Sequence, residues 1–226
     1  MSVGAPAVVQ LFTHSWTQLR AAVSELGPED FERRSGCTGW LVRDLVCHLI
    51  IDAQDVLITL ATPTDQAPTR DAVTYWTAAE TPPDGDDPLD ALTVRLAAAY
   101  QDHRLLTFHL DDVGAAAGRA AGLADPAGRV QTRGEVLTVA DYLSAYVFEW
   151  TVHHLDLGAR LDTVSGPSPA ALRHSRRIFE ELTGTVLPSA LGDASALLVG
   201  TGRRAPTAEE AARLGALTGR LPRSIG

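Results

Sequence analysis

Apolar positions in the N-terminal part of the chain recur at helical spacing. Val8, Val9, Leu11, Phe12, Trp16, Leu19, Val23 and Leu26 predict an amphipathic helix from about Ala5 to Leu26, stopped by Gly27-Pro28. A turn follows at Ser35-Gly-Cys-Thr-Gly39, with Thr38 placed to cap a second helix from about Trp40 to Ala61. Its apolar stripe is Leu41, Leu45, Leu49, Ala53, Val56 and Leu60. Residues 62–87 are rich in proline and acid and predict a long loop that holds Trp76. Asp87-Pro88 has the form of a cap followed by proline in the first turn. It predicts a third helix to about Phe108, with Leu89, Leu92, Leu96, Tyr100 and Leu105 inward.

Residues 110–128 are Gly- and Ala-rich and weakly patterned, and Arg129 to Val136 reads as a short extended piece. Thr138-Val-Ala-Asp141 resembles a capping box with Asp in place of Glu, and opens a fourth helix to about Ala159. Ser165-Gly-Pro-Ser-Pro169 reads as a linker. Beyond it come a helix from about Pro169 to Thr183, an apolar strand Ala194–Val199, a Gly-Thr-Gly turn at 200–202, and a helix capped by Thr207 with Glu210. Four long helices predict a mainly α protein. Residues 1–164 form a helical bundle and 165–226 a small helix–strand–helix region.

Composition narrows the function classes. The chain of 226 residues is 45% apolar, enough for one large domain or a main domain with a small companion. No run of about 18 apolar residues is present to span a membrane, and the N-terminal residues lack the form of a signal peptide. The expectation is a cytoplasmic protein without a membrane partner. A net charge of −9 and no clustered basic face argue against nucleic acid. All 19 basic residues are arginine, so lysine nucleophiles and Schiff bases are excluded. The cysteines, Cys37 and Cys47, have no CxxC spacing, and no disulfide is expected.

The candidate chemistry sits on the second and fourth helices. Glu149 and His153 are four residues apart and share one helix face, with Cβ atoms about 6 Å apart. Phe148, Trp150 and Val152 interleave them, unlike an open, solvated face. His48 stands beside the apolar stripe of the second helix. Two imidazoles and a carboxylate can hold a divalent metal and leave one coordination position open, as catalytic zinc sites do. An exposed helix ion pair and a packed histidine are the plain alternatives. His154 turns away from the Glu149 face and is read as supporting, partner-facing or exposed. Asp52 and Asp156 are possible orienting acids for a ligand imidazole, with surface charge the plainer reading, above all for Asp156. Cys47 is read as a small buried side chain, and Cys37 as reactive only if exposed. Gly200-Thr-Gly-Arg-Arg204 lacks the length and lysine of a phosphate loop and reads as a turn, with Arg203 and Arg204 as possible anion contacts.

Two stretches together resemble a known family. Cys37-Thr-Gly-Trp-Leu-Val-Arg-Asp-Leu-Val-Cys-His48 is similar to the GW-x-V-x-D-L-x-x-H signature of the mycothiol-dependent maleylpyruvate isomerase N-terminal domain. That domain belongs to the DinB/YfiT-like superfamily of four-helix bundles. Glu149-Trp-Thr-Val-His-His-Leu-Asp-Leu157 is similar to its second ligand segment. The resemblance covers most of residues 5–160 and, more loosely, a small C-terminal α/β appendage. It implies His48, Glu149 and His153 as ligands of Zn2+ or another divalent metal, and mycothiol as co-substrate. Glu149 and His153 become the candidate catalytic residues. The partners implied are a small electrophilic substrate and the thiol, in a monomer or homodimer. Family members with a C-terminal arginine use it for substrate carboxylates. Arg203, Arg204, Arg220 and Arg223 are all available here, and none is assigned.

The expected activity is isomerisation or thiolation of a small electrophile. Two other readings stay open: a tailoring isomerase or cyclase on the same bundle without thiol chemistry, in which Glu149 or His153 carries a proton, and a non-catalytic, metal-stabilised binding protein. The long 62–87 loop is expected to cover the bundle mouth and influence substrate choice.

Overall fold

The structure, a computed structural model, describes residues 5–79 and 88–225. Helix α1 (Ala5–Ser24) buries Val8, Phe12, Trp16, Leu19 and Val23 on one face, as its periodicity predicts. Helix α2 (Val42–Leu60) starts later than expected, and its cap is not Thr38. The Asp44 carboxylate accepts the Leu41 N–H at 2.8 Å and so satisfies a donor that the first turn leaves free. Thr38 instead lies in the turn completed by Gly39, whose φ of 81° suits a residue without a Cβ.

The third predicted helix is two. Helix α3 (Pro88–Ala99) ends before Gln101, which has a φ of 56°, and α4 (His103–Leu123) begins afresh, capped by the Asp102 carboxylate on the Arg104 N–H. The break shifts the helical phase. Leu89, Leu92, Leu96 and Leu105 are exposed rather than inward, while Thr93, Ala97, Leu106 and Leu110 are buried. The expected cap at Asp87 lies outside the described residues.

Helix α4 also runs through a stretch expected to be weakly structured. Its buried residues there are Gly114, Ala117 and Ala121, a stripe of small side chains that lets α1 approach closely. The Trp16 indole N–H donates to the Gly114 carbonyl at 2.7 Å. A Cβ on Gly114 would lie 2.7 Å from Trp16 Cζ2.

A β-hairpin follows, β2 (Arg129–Thr132) against β3 (Glu135–Thr138), in register Thr132 to Glu135. Arg133 and Gly134 both have positive φ, as a two-residue primed turn requires. Helix α5 (Val139–Gly158) is capped as predicted, the Thr138 hydroxyl accepting the Asp141 N–H at 3.0 Å. The bundle consists of α1, α2, α4 and α5, with α3 packed on α2.

The C-terminal region contains α6 (Pro169–Thr183), α7 (Asp193–Gly200) and α8 (Ala208–Leu214). The strand expected at Ala194–Val199 is corrected: those residues are the helix α7. A short run with five apolar residues and one serine fits a buried helix as well as a strand. The β content of the region is β4 (Ser224–Ile225), paired antiparallel with β1 (Ala78–Ala79). The fold is thus a mainly α, DinB-like four-helix bundle with a small C-terminal α/β appendage.

Two hydrophobic clusters meet on α5. Tyr142, Leu143, Tyr146, Val147, Trp150 and Leu157 face the bundle core. Ala145, Phe148 and Val152 face a second cluster with Ile178, Phe179, Leu197 and Leu214. Trp76 belongs to this second cluster, its indole N–H donating to the Ala145 carbonyl at 3.3 Å. Within the predicted loop, residues 63–79 are tied to the hairpin and α5, and residues 80–87 lie outside the described ones. No helix among the described residues is long and apolar enough to cross a membrane.

Candidate metal centre

Helices α2 and α5 bring His48, Glu149 and His153 together and add Asp52. One ligand atom from each of the four lies within 4.8 Å of the others, a grouping able to hold a metal ion. The Glu149 Oε1 is the hub, 3.0 Å from His153 Nε2 and 3.6 Å from His48 Nε2. Asp52, one turn beyond His48, places Oδ2 3.6 Å from the same His48 nitrogen. The imidazoles meet edge to face, with ring centroids 4.8 Å apart.

Local sequence explains the placement. Trp40 is buried with its ring centroid 5.2 Å from that of His48. Asp44 caps the helix that carries His48, and Gly39 makes the turn before it. Glu149 and His153 share a face by their four-residue spacing.

The electrostatics are those of a buried, mixed-charge cluster. Burial pushes the Glu149 carboxyl up, but His153 and His48 more than offset it and hold it well below the usual carboxylate range. Burial alone would depress the His153 imidazole, yet Glu149 and Asp156 raise it above its ordinary range. Burial pushes the Asp52 carboxyl up, with His48 opposing and Glu149 adding to the shift. Asp52 Oδ2 is buried and has no hydrogen-bond partner. Such an orphaned carboxylate oxygen is costly without a cation or donor. Two imidazole nitrogens and two carboxylate oxygens form a donor set suited to zinc and similar divalent ions.

Behind His153 lies a second group. Asp156 is completely buried rather than a surface charge, and its Oδ2 is 3.1 Å from His153 Nδ1. Arg203 Nε donates to Asp156 Oδ1 at 2.8 Å and Oδ2 at 3.0 Å. The Cys37 thiol donates to Asp156 Oδ2 at 3.3 Å and lies 3.7 Å from His153 Nδ1. Burial nonetheless pushes that thiol up, so it is not an activated thiolate. Gly36 N–H donates to the Asp156 carbonyl at 2.8 Å. A Cβ on Gly36 would lie 2.4 Å from Asp156 Oδ1, so only glycine fits this approach.

The remaining candidates have structural places. His154 is buried, not exposed, and its Nε2 lies 2.7 Å from the Ser165 carbonyl, pinning the segment between α5 and α6. Cys47 is buried, its thiol pushed up to about 11 chiefly by that burial. Arg204 pairs with Glu210 rather than facing the cluster. A cavity of about 510 Å³ is lined by Asp156 together with Gly36, His154, Arg160, Arg203 and Arg204 among others.

Fold and cluster define a class: a helical bundle with an imidazole–carboxylate donor set between two of its core helices and a small C-terminal region against one of them. The chain belongs to the family of the mycothiol maleylpyruvate isomerase N-terminal domain, whose model matches residues 12–158. A crystal structure of a histidine-to-alanine mutant of the mycothiol-dependent maleylpyruvate isomerase is similar in fold, with a TM-score of 0.64 and 13% identity over 89% of this chain and 90% of that one. No curated protein matches the sequence.

Proposed function

We propose that the protein is a divalent-metal enzyme, with zinc the expected ion, that uses a low-molecular-weight thiol of the mycothiol type to isomerise a small electrophilic substrate such as maleylpyruvate. One observation carries the reading. Inside the segment matched by the family, His48, Asp52, Glu149 and His153 converge, and a buried carboxylate oxygen among them, Asp52 Oδ2, has no hydrogen-bond partner.

His48, Glu149 and His153 are the proposed ligands, with Asp52 as a second carboxylate beside His48. A bound cation supplies the positive charge that keeps a nearby thiol deprotonated at neutral pH. The thiolate adds to a carbon of the conjugated alkene and turns its double bond into a single bond. Rotation about that bond and expulsion of the same thiolate restore the alkene in the other geometry, so the thiol is not consumed. If the anion formed on addition takes up a proton instead of expelling the sulfur, the product is a thioether and the reaction is a transfer. Glu149 and His153 are the proposed catalytic residues, turnover depends on His48 as well, and the Trp40 ring packs beside that of His48.

The test combines metal analysis with turnover of maleylpyruvate in the presence of mycothiol. We expect about one divalent ion per chain, with loss of both metal and turnover in His48→Ala and His153→Ala. A chelated, metal-free preparation that isomerises at the full rate would sink the reading.

A further inference from the structure

Every imidazole that binds a metal through one nitrogen must place its proton on the other. His153 directs Nε2 toward Glu149 and His48, which leaves Nδ1 to carry the proton. The group that receives it is Asp156, one turn further along α5, at 3.1 Å. A carboxylate in that position fixes both the tautomer and the ring plane. Asp156 is itself fixed on every side: by Arg203 from the turn after α7, by the Cys37 thiol, and by the close approach of Gly36.

We propose that Asp156 is the positioning residue for His153 and that Arg203 acts through it, so that the C-terminal region sets the metal affinity of a centre built wholly on the bundle. The inference rests on the metal reading above. Asp156 falls within the matched segment, whereas Arg203 lies outside it, 47 residues further along the chain. The arginine is partly buried and its Nε is committed to the fully buried Asp156 carboxylate, so its role here is to compensate a carboxylate that would otherwise be costly inside the protein. The same contact could serve only to fasten the C-terminal region to the bundle. That alternative predicts a loss of stability in the metal-free protein with no change in affinity for the ion.

Metal-free wild type, Asp156→Asn and Arg203→Met are titrated with Zn2+ in competition with a chromophoric chelator, and the urea stability of each metal-free protein is measured in parallel. We expect Asp156→Asn to bind Zn2+ about 10–100-fold more weakly than wild type, and Arg203→Met to weaken it in the same direction. Arg203→Met also serves as the test should Asp156→Asn not fold. Wild-type affinity in both variants, whatever their stability, overturns the inference and leaves the metal reading standing. Absence of Zn2+ binding in wild type overturns the metal reading and this inference with it.

Discussion

His174 on α6 shows how much a single buried side chain governs. Its Nε2 lies 3.0 Å from the Ser144 hydroxyl, and its Nδ1 is buried without a partner. Burial, aided by Arg177, lowers the imidazole from 6.5 to about 4, against weaker opposition from Ser144 and Glu181. Between those values the unfolded chain binds the proton and the folded one does not. Stability from this group is therefore full above the unfolded value and falls as pH drops toward 4, by on the order of 3 kcal/mol. Urea denaturation at pH 7.5 and pH 4.5 should show that loss, and His174→Gln should shrink the difference. At this scale the candidate site was partly legible. His48, Glu149 and His153 stood out because their spacing places them on helix faces and their flanks form a signature. Asp156 was in reach, three residues after His153 and on the same face, but its burial was not, since an aspartate near a helix end usually meets solvent. Arg203 was in view as a possible anion contact, but its partner was not, because Asp156 is distant in the chain and the approach depends on a turn.

Among the elements, α4 is where pattern reading failed for a physical reason. Helical periodicity is read from large apolar residues, and α4 packs with Gly114, Ala117 and Ala121. These small residues leave room for the Trp16 indole of α1, which donates to the Gly114 carbonyl. Two of its glycines separate the effects. At Gly114 a methyl group would lie 2.7 Å from an indole whose N–H is already bonded to that same residue, so the ring cannot retreat freely. At Gly118 the nearest atom would be 3.9 Å away. Gly118→Ala should stabilise the protein by about 0.5–1 kcal/mol through helix propensity. Gly114→Ala should lose about 1–3 kcal/mol to overpacking, outweighing the same gain. Denaturant midpoints of the two variants in the opposite order would remove the contact as the cause. The caps of α5 and α8 were readable from Thr138 and Thr207/Glu210, where one side chain decides the start, while the cap of α6 by Ser168 lies in a stretch that reads as a linker. Helix α7 was not, because so short a mainly apolar run carries no period of its own.

For the molecule as a whole, the two hydrophobic clusters share α5, so the bundle and the C-terminal region cannot lose their packing separately. We expect a single unfolding transition, with tryptophan fluorescence and far-UV circular dichroism coincident in urea; separated transitions would show that the clusters are independent. The fold class was readable from four long helical patterns, but this sharing was not, since periodicity shows that a helix has an apolar face and not how many neighbours it has. No residue of α5 is exposed. The helix that supplies Glu149, His153 and Asp156 therefore has no free face on which substitutions can accumulate at little cost. Room for divergence lies elsewhere, in the surface of α2, the hairpin turn at Arg133-Gly134 and the 63–79 segment. Relatives that acquire new substrates would be expected to vary there while the α5 segment drifts slowly, making it the part of the chain by which distant members can still be aligned.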